Sequence, residues 1–150
     1  MQRMTSVYTR RSRRSVRGFT LIEVMIAMAI VAILAAIAWP NYTRHLGRTH
    51  RVAAQACISE YANYMERYYT SNLRYDQTPA GVDNADPHLD CQSRVAPNYV
   101  VAPASTPTSF AITATPTTVQ LNRDGMCGTL TLNHRGARTA SGSAGVAGCW

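Results

Sequence analysis

The order of apolar and polar positions divides the chain into unlike parts. Residues 19 to 39, FTLIEVMIAMAIVAILAAIAW, form an apolar run in which Glu23 is the only charge and Thr20 the only other polar side chain. At ~1.5 Å per residue such a run makes a helix of roughly 31 Å, the thickness of a bilayer's hydrocarbon core. Pro40 closes it; a proline inside a helix removes one backbone hydrogen bond, which predicts a bend in the axis there. From residue 41 to about 72, Leu46, Val52 with Ala53, Ala56 with Cys57, Tyr61, Met65 and Tyr68 recur at spacings of three and four. This predicts a continuing amphipathic helix with one face built to cover a sheet. Arg44, Arg48, Arg51, Glu60, Glu66 and Arg67 mostly decorate the other side as a solvated face.

Residues 71 to 97 lose this periodicity and are rich in Asn, Asp, Pro and Gly, which predicts a long connecting loop. Four β-rich runs follow, at 98–102, 109–114, 118–121 and 128–132, punctuated by Pro103, Pro107 and Pro116, with Asn122-Arg123-Asp124-Gly125 as a turn. The economical assembly is an α+β domain: a long N-terminal helix packed on a small antiparallel sheet of three or four strands. Residues 139 to 148, rich in Ser, Gly and Ala, read as irregular.

Charge sharpens the division. The formal net charge is +7, yet six of the fifteen basic residues, Arg3, Arg10, Arg11, Arg13, Arg14 and Arg17, precede Phe19 with no acidic residue among them. From Phe19 onward nine arginines face eight carboxylates, a net of +1. The basicity therefore belongs to the leader, and the rest of the chain gives little electrostatic reason to bind nucleic acid. Arginine is denser before the apolar run than after it, so the positive-inside rule places Met1 in the cytoplasm and the body across the membrane. The cysteines then face an oxidising space.

Three readings compete for the apolar segment. Ala36-Ile37-Ala38 has the small-x-small form of a signal-peptidase site, which would leave a chain starting at Trp39. A plain membrane anchor is the second. Neither accounts for Glu23, since an ionised carboxylate within a span costs on the order of 2.5 to 3.5 kcal/mol. The third reading rests on Arg17-Gly18-Phe19-Thr20-Leu21-Ile22-Glu23, where a basic leader ends in glycine and the apolar run opens with Phe and carries Glu as its fifth residue. This string resembles the type IV prepilin signature.

The resemblance implies that a membrane peptidase cuts between Gly18 and Phe19 and methylates the new N-terminus. Residues 1–18 are then a cleaved leader, 19–40 a transmembrane and filament-core helix, and 41–150 an external globular domain that includes the amphipathic half of the helix. It also implies that Glu23 pairs with an α-ammonium, a neighbouring subunit's during docking, and so sets the register of assembly. Burying that ammonium alone is very unfavourable, whereas a paired charge is tolerable. The leader is longer than many in the family, and Met4 is an alternative start.

Cys57, Cys91, Cys127 and Cys149 allow three pairings, and spacing alone does not choose among them. Sequential pairing is preferred because it would tie the long loop to the helix and staple the irregular end to the strand at Gly128. Cys127-Gly128-Thr129-Leu130-Thr131-Leu132-Asn133 through Gly136, closing on Gly148-Cys149-Trp150, is similar to the C-terminal disulfide loop of PilE-type minor pilins. Glu66-Arg67-Tyr68-Tyr69 extends the likeness into the helix; a pair like Cys57 and Cys91 is not universal in that family.

The tyrosines at 61, 64, 68 and 69 read as core and packing residues. His45, His50, His88 and His134 show no metal-ligand spacing, and no short Cys-x-x-Cys pair is present for zinc. No nucleophile elbow, His-Glu-x-x-His helix or phosphate-cradling glycine loop occurs. The chain reads as a non-enzyme without cofactor or metal, a minor pilin for adhesion and twitching motility. Its partners by resemblance are the major pilin and other minor pilins, the prepilin peptidase and methyltransferase, and the inner-membrane assembly machinery. It would sit in the inner membrane before assembly and on the cell surface after it. Two alternatives remain: a type II secretion pseudopilin, and a competence pilin that binds DNA through Arg123, Arg135 and Arg138.

Overall fold

The computed structural model describes residues 18–84 and 86–150. The leader arginines and both candidate starts, Met1 and Met4, lie outside the described residues. The chain divides into two compact units, one ending at Ile37 and one spanning Ala38–Trp150. The helix α1, Leu21–Asn72, has residues in both and runs through Pro40. In the first unit every described residue is exposed, and the helix is long and apolar enough to cross a membrane.

In the second unit the helix buries Gly47, Ala54, Cys57, Ile58, Tyr61 and Met65. These differ from the stripe that spacing suggested: Val52, Ala53 and Ala56 are exposed, and Leu46 is half-buried. At about 100° per residue, Val52 lies nearly opposite Tyr61, whereas Ala54, Ile58 and Met65 fall within about 60° of it. The sheet faces the Tyr61 side, so small alanines next to true core positions had blurred the pattern.

The remaining elements are α2 (Asp90–Val95), β1 (Tyr99–Ser105), β2 (Phe110–Pro116), α3 (Thr118–Asp124), β3 (Leu130–Asn133), β4 (Arg138–Ala140) and α4 (Gly145–Cys149). The four strands form an antiparallel meander in chain order. Ala114 faces Val101 on one side and Leu130 on the other, fixing the register at the centre. Alternation along the strands turns Tyr99, Val101, Phe110, Ile112, Ala114 and Leu130 inward onto Ala54, Ile58, Tyr61 and Met65. Pro103 sits inside β1 rather than ending it, which an edge strand tolerates because one side of its ladder goes unused.

Three local expectations are corrected. The loop of 71–97 contains α2, held by Gln92, whose side-chain amide donates to the Val101 carbonyl at 2.9 Å. Residues 118–121 are helical, and Asn122, Arg123 and Asp124 continue that helix instead of turning. A strand there would bury Val119 and Leu121 together; they are 50% and 45% exposed, and the buried residue is Gln120 between them. The C-terminal stretch carries a fourth strand and a short helix, both inside the segment closed by Cys127 and Cys149.

Candidate functional site

Two surfaces carry the residues that the sequence marks as functional, one in each unit. In the first, Gly18, Phe19 and Thr20 precede the helix, which starts at Leu21. The Glu23 N–H donates to the Thr20 carbonyl at 3.2 Å and to its hydroxyl at 3.3 Å, satisfying an orphan donor of the first turn. Glu23 thus occupies the first turn, where the helix dipole favours a carboxylate. A side chain added at Gly18 meets no atom within 4 Å, so nothing in the described fold demands glycine there.

In the second unit, two disulfides join Cys57 to Cys91 and Cys127 to Cys149, with Cα–Cα distances of 5.3 and 5.5 Å. The second closes a loop whose ends meet at close quarters. The Gly142 and Ala144 N–H groups donate to the Cys127 and Met126 carbonyls, each at 3.0 Å, and the Thr129 N–H donates to the Ser141 hydroxyl at 2.9 Å. A Cβ on Gly142 would run into the Met126 carbonyl. Gly128, at φ 62°, would push one into the Ser141 hydroxyl. These two glycines let the chain cross itself at the base of the loop.

The loop is locked to α1 from two sides. Gln55 donates to the Cys149 carbonyl, and Arg51 bonds both carboxylate oxygens of Asp124, at 3.0 and 2.8 Å, beside the Cys127 sulfur. Between them Gln120 donates to the Gly47 carbonyl at 2.8 Å and the Tyr99 hydroxyl at 3.3 Å. A Cβ on Gly47 would lie 3.1 Å from that of Asp124, so glycine sets how near α3 comes to α1. Arg51, Gln120 and Asp124 had no signal in the sequence, because no local spacing links residues 73 positions apart.

The three arginines singled out for DNA do not share one environment. Arg123 is half-buried at the α3–α1 contact, Arg135 is exposed in the turn between β3 and β4, and Arg138 lies over Trp150 at 5.1 Å from the ring centroid. The Trp150 indole N–H donates to the Thr139 carbonyl at 2.9 Å, which fixes the chain end on β4.

The tyrosines are structural. Tyr61 donates to Asp86 at 2.7 Å and Tyr64 to Asn84 at 2.9 Å, while Tyr69 stacks on Tyr75, which meets Phe110 edge-on. Burial and the bond to Asp86 push the Tyr61 hydroxyl far above its usual range. Burial acts to raise the Asp86 carboxyl, but hydrogen bonds from Tyr61, Gln92 and the His88 N–H hold it below the ordinary carboxylate range. The histidines are dispersed: His45 and His88 are exposed, His50 is half-buried, and His134 lies edge-on to Phe110. Among the described residues no three His, Cys, Asp or Glu side chains gather as a metal site.

These features define an apolar helical segment with a capped, acid-bearing start and an α+β domain with a disulfide-closed C-terminal loop. Residues 13–39 match the prokaryotic N-terminal methylation motif, and residues 40–131, more than half of the chain, match the family described as type IV minor pilin ComP, DNA uptake sequence receptor. The chain belongs to that family of type IV pilins, whose members are structural subunits and not enzymes.

Among curated relatives, it is 35% identical over 69 residues to the type IV wide pilus major component PilA4 of Thermus thermophilus, covering 46% of this chain and 53% of the relative. It is 36% identical over 87 residues to the type IV major pilin PilE1 of Neisseria gonorrhoeae, covering 57% and 40%. It is 33% identical over 70 residues to the type II secretion system core protein G of Klebsiella michiganensis, covering 47% and 49%. The chain spans about half the length of the curated relatives it matches. Pilins assemble with one another into filaments, and the apolar helix and the motif together suggest anchoring in a membrane followed by incorporation into the pilus.

Proposed function

We propose that this chain is a minor pilin, cut between Gly18 and Phe19, methylated on Phe19, and inserted through its apolar helix into a surface filament, where it primes or joins assembly. The observation that carries this reading is the exposure of every described residue of the first unit, 18–37, with one charge, Glu23, in its first helical turn. So much apolar area needs either lipid or neighbouring helices to cover it. Among the described residues no atom lies within 4 Å of a side chain added at Gly18, so a requirement for glycine there would come from the cleaving enzyme. Glu23 meets the ammonium of an adjacent subunit, and Pro40 gives the helix a place to bend. The partners are the major pilin, other minor pilins, the prepilin peptidase and methyltransferase, and the inner-membrane assembly machinery; adhesion and twitching motility are the outputs.

The experiment is intact-mass spectrometry of filaments sheared from cells. A chain beginning at methylated Phe19, with four oxidised cysteines and at low stoichiometry, is expected. Only full-length chain in membranes would reduce the protein to an anchored domain, and a chain starting at Trp39 would support a signal peptide instead.

A second reading, DNA capture in competence, is favoured by the description of the family matched over residues 40–131. Arg135 and Arg138 are exposed on the C-terminal loop and can meet phosphates. Binding of this kind falls steeply with salt, so a gel-shift titration of the mature domain from low to physiological salt decides it. A pseudopilin role is favoured by the likeness to core protein G and is tested by a calcium-dependent shift in melting.

A further inference from the structure

Where the apolar run ends, at Trp39, the composition of the chain changes. Trp39 is 72% exposed and Tyr42 58% exposed. Arg44 and Arg48 follow, one helical turn apart, both exposed and without an ion pair among the described residues. The next arginine, Arg51, is already bound to Asp124. Between Glu23 and Glu60 the sequence has no acidic residue at all. An aromatic pair followed by unneutralised arginines is the chemistry of a membrane interface: amphipathic rings settle at headgroup depth, and cations meet the phosphates above them.

Resting on the reading of residues 19–39 as a membrane span, we propose that Trp39, Tyr42, Arg44 and Arg48 form a collar that binds anionic phospholipid headgroups of the outer leaflet before assembly. Arg44 lies five residues past Trp39, or ~7 Å along a helix, and Arg48 one turn beyond, so both guanidinium groups can reach a headgroup layer once the apolar run fills the bilayer. Their i, i+4 spacing puts both cations on one stripe. The collar holds the idle subunit at a fixed depth, and leaving lipid for the filament releases those headgroups.

The test uses the full chain carrying Trp150→Phe, so that Trp39 is the sole tryptophan, reconstituted in phosphatidylcholine vesicles. Either phosphatidylglycerol or phosphatidylcholine spin-labelled at the headgroup is added in trace amount, and Trp39 quenching is read. Enrichment of the anionic label by roughly fivefold per arginine is expected at low salt. It should vanish in Arg44→Gln/Arg48→Gln and persist in Arg67→Gln, an exposed arginine further along the helix. Equal quenching by the two labels in vesicle-bound chain, or a preference that survives the double substitution, overturns the collar alone. Failure of the chain to float with vesicles overturns the membrane span as well as the collar.

Discussion

Arg51 and Asp124 lie 73 residues apart, and a single guanidinium nitrogen of Arg51 bonds both oxygens of the Asp124 carboxylate. Each side chain keeps 12% of its surface exposed. The pair joins the helix α1 to the end of α3, three residues before the C-terminal disulfide begins at Cys127.

Asp124→Asn keeps the shape but leaves the Arg51 charge half-buried without its partner. A loss of about 1 to 3 kcal/mol is expected, between the values for exposed and fully buried pairs. Thermal unfolding of the domain lacking residues 1–37 reads it, at roughly 4 to 8 °C per kcal/mol. An unchanged midpoint would mean that the pair is only a surface contact.

The disulfide-closed loop uses glycine in two different ways, for a close crossing at Gly142 and for a positive φ at Gly136 in the turn between β3 and β4. Gly142→Ala drives a methyl group into the Met126 carbonyl, so the backbone must shift, at a cost on the order of 2 to 3 kcal/mol. Gly136→Ala has open space and carries only the strain of its φ of 73°, about 1 to 2 kcal/mol. Urea midpoints of the two variants should rank in that order; the reverse order would remove the close crossing as an explanation.

The Asp86 carboxyl, held low by Tyr61, Gln92 and the His88 N–H, ties α1 to the segment leading into α2. A depressed folded-state pKa contributes stability at pH above the unfolded value, which is lost as pH falls through the folded one. Melting temperature should therefore decline in the acid range below about pH 4. Arg74 holds Asp76 low too, so part of this slope belongs to that pair. Asp86→Asn should flatten the acid slope, and Asp86→Asn/Asp76→Asn should flatten it further; a slope unaffected by either would assign it to other carboxylates.

Replacing Cys127 and Cys149 together by serine opens the loop that contains β3, β4 and α4. A loss of roughly 3 kcal/mol is expected from the freed unfolded chain. Hydrogen exchange should show it concentrated in residues 138–149, because β4 pairs with β3 alone and α4 is only five residues long. Uniform exchange across the sheet would show instead that the disulfide supports the whole core.

Glu23→Leu removes the one charge of the apolar segment. The variant should insert and be cut after Gly18, yet enter filaments poorly, as read by immunoblot of sheared pili. Normal incorporation would take the register role from Glu23.

The large divisions of this protein were legible in one dimension. A bilayer-length apolar run broken by a single acid, an arginine-rich stretch ending in glycine, an amphipathic stretch after Pro40 and short β-rich runs are local patterns, and they carried the long helix, three of the four expected strands and the α+β class. The cysteines announced staples without naming their pairs. Tertiary structure decided which helix face is buried, because Val52, Ala53 and Ala56 are as apolar as Ala54 and Ile58 and only the position of the sheet separates them. It also decided that residues 118–124 are helical, since Gln120 reaches the Gly47 carbonyl from α3 while Val119 and Leu121 stay outside. The Arg51–Asp124 pair and the crossing at Gly142 belong to the same kind of information. They join residues far apart in the chain, and no periodicity along a sequence records which distant partner a side chain will meet.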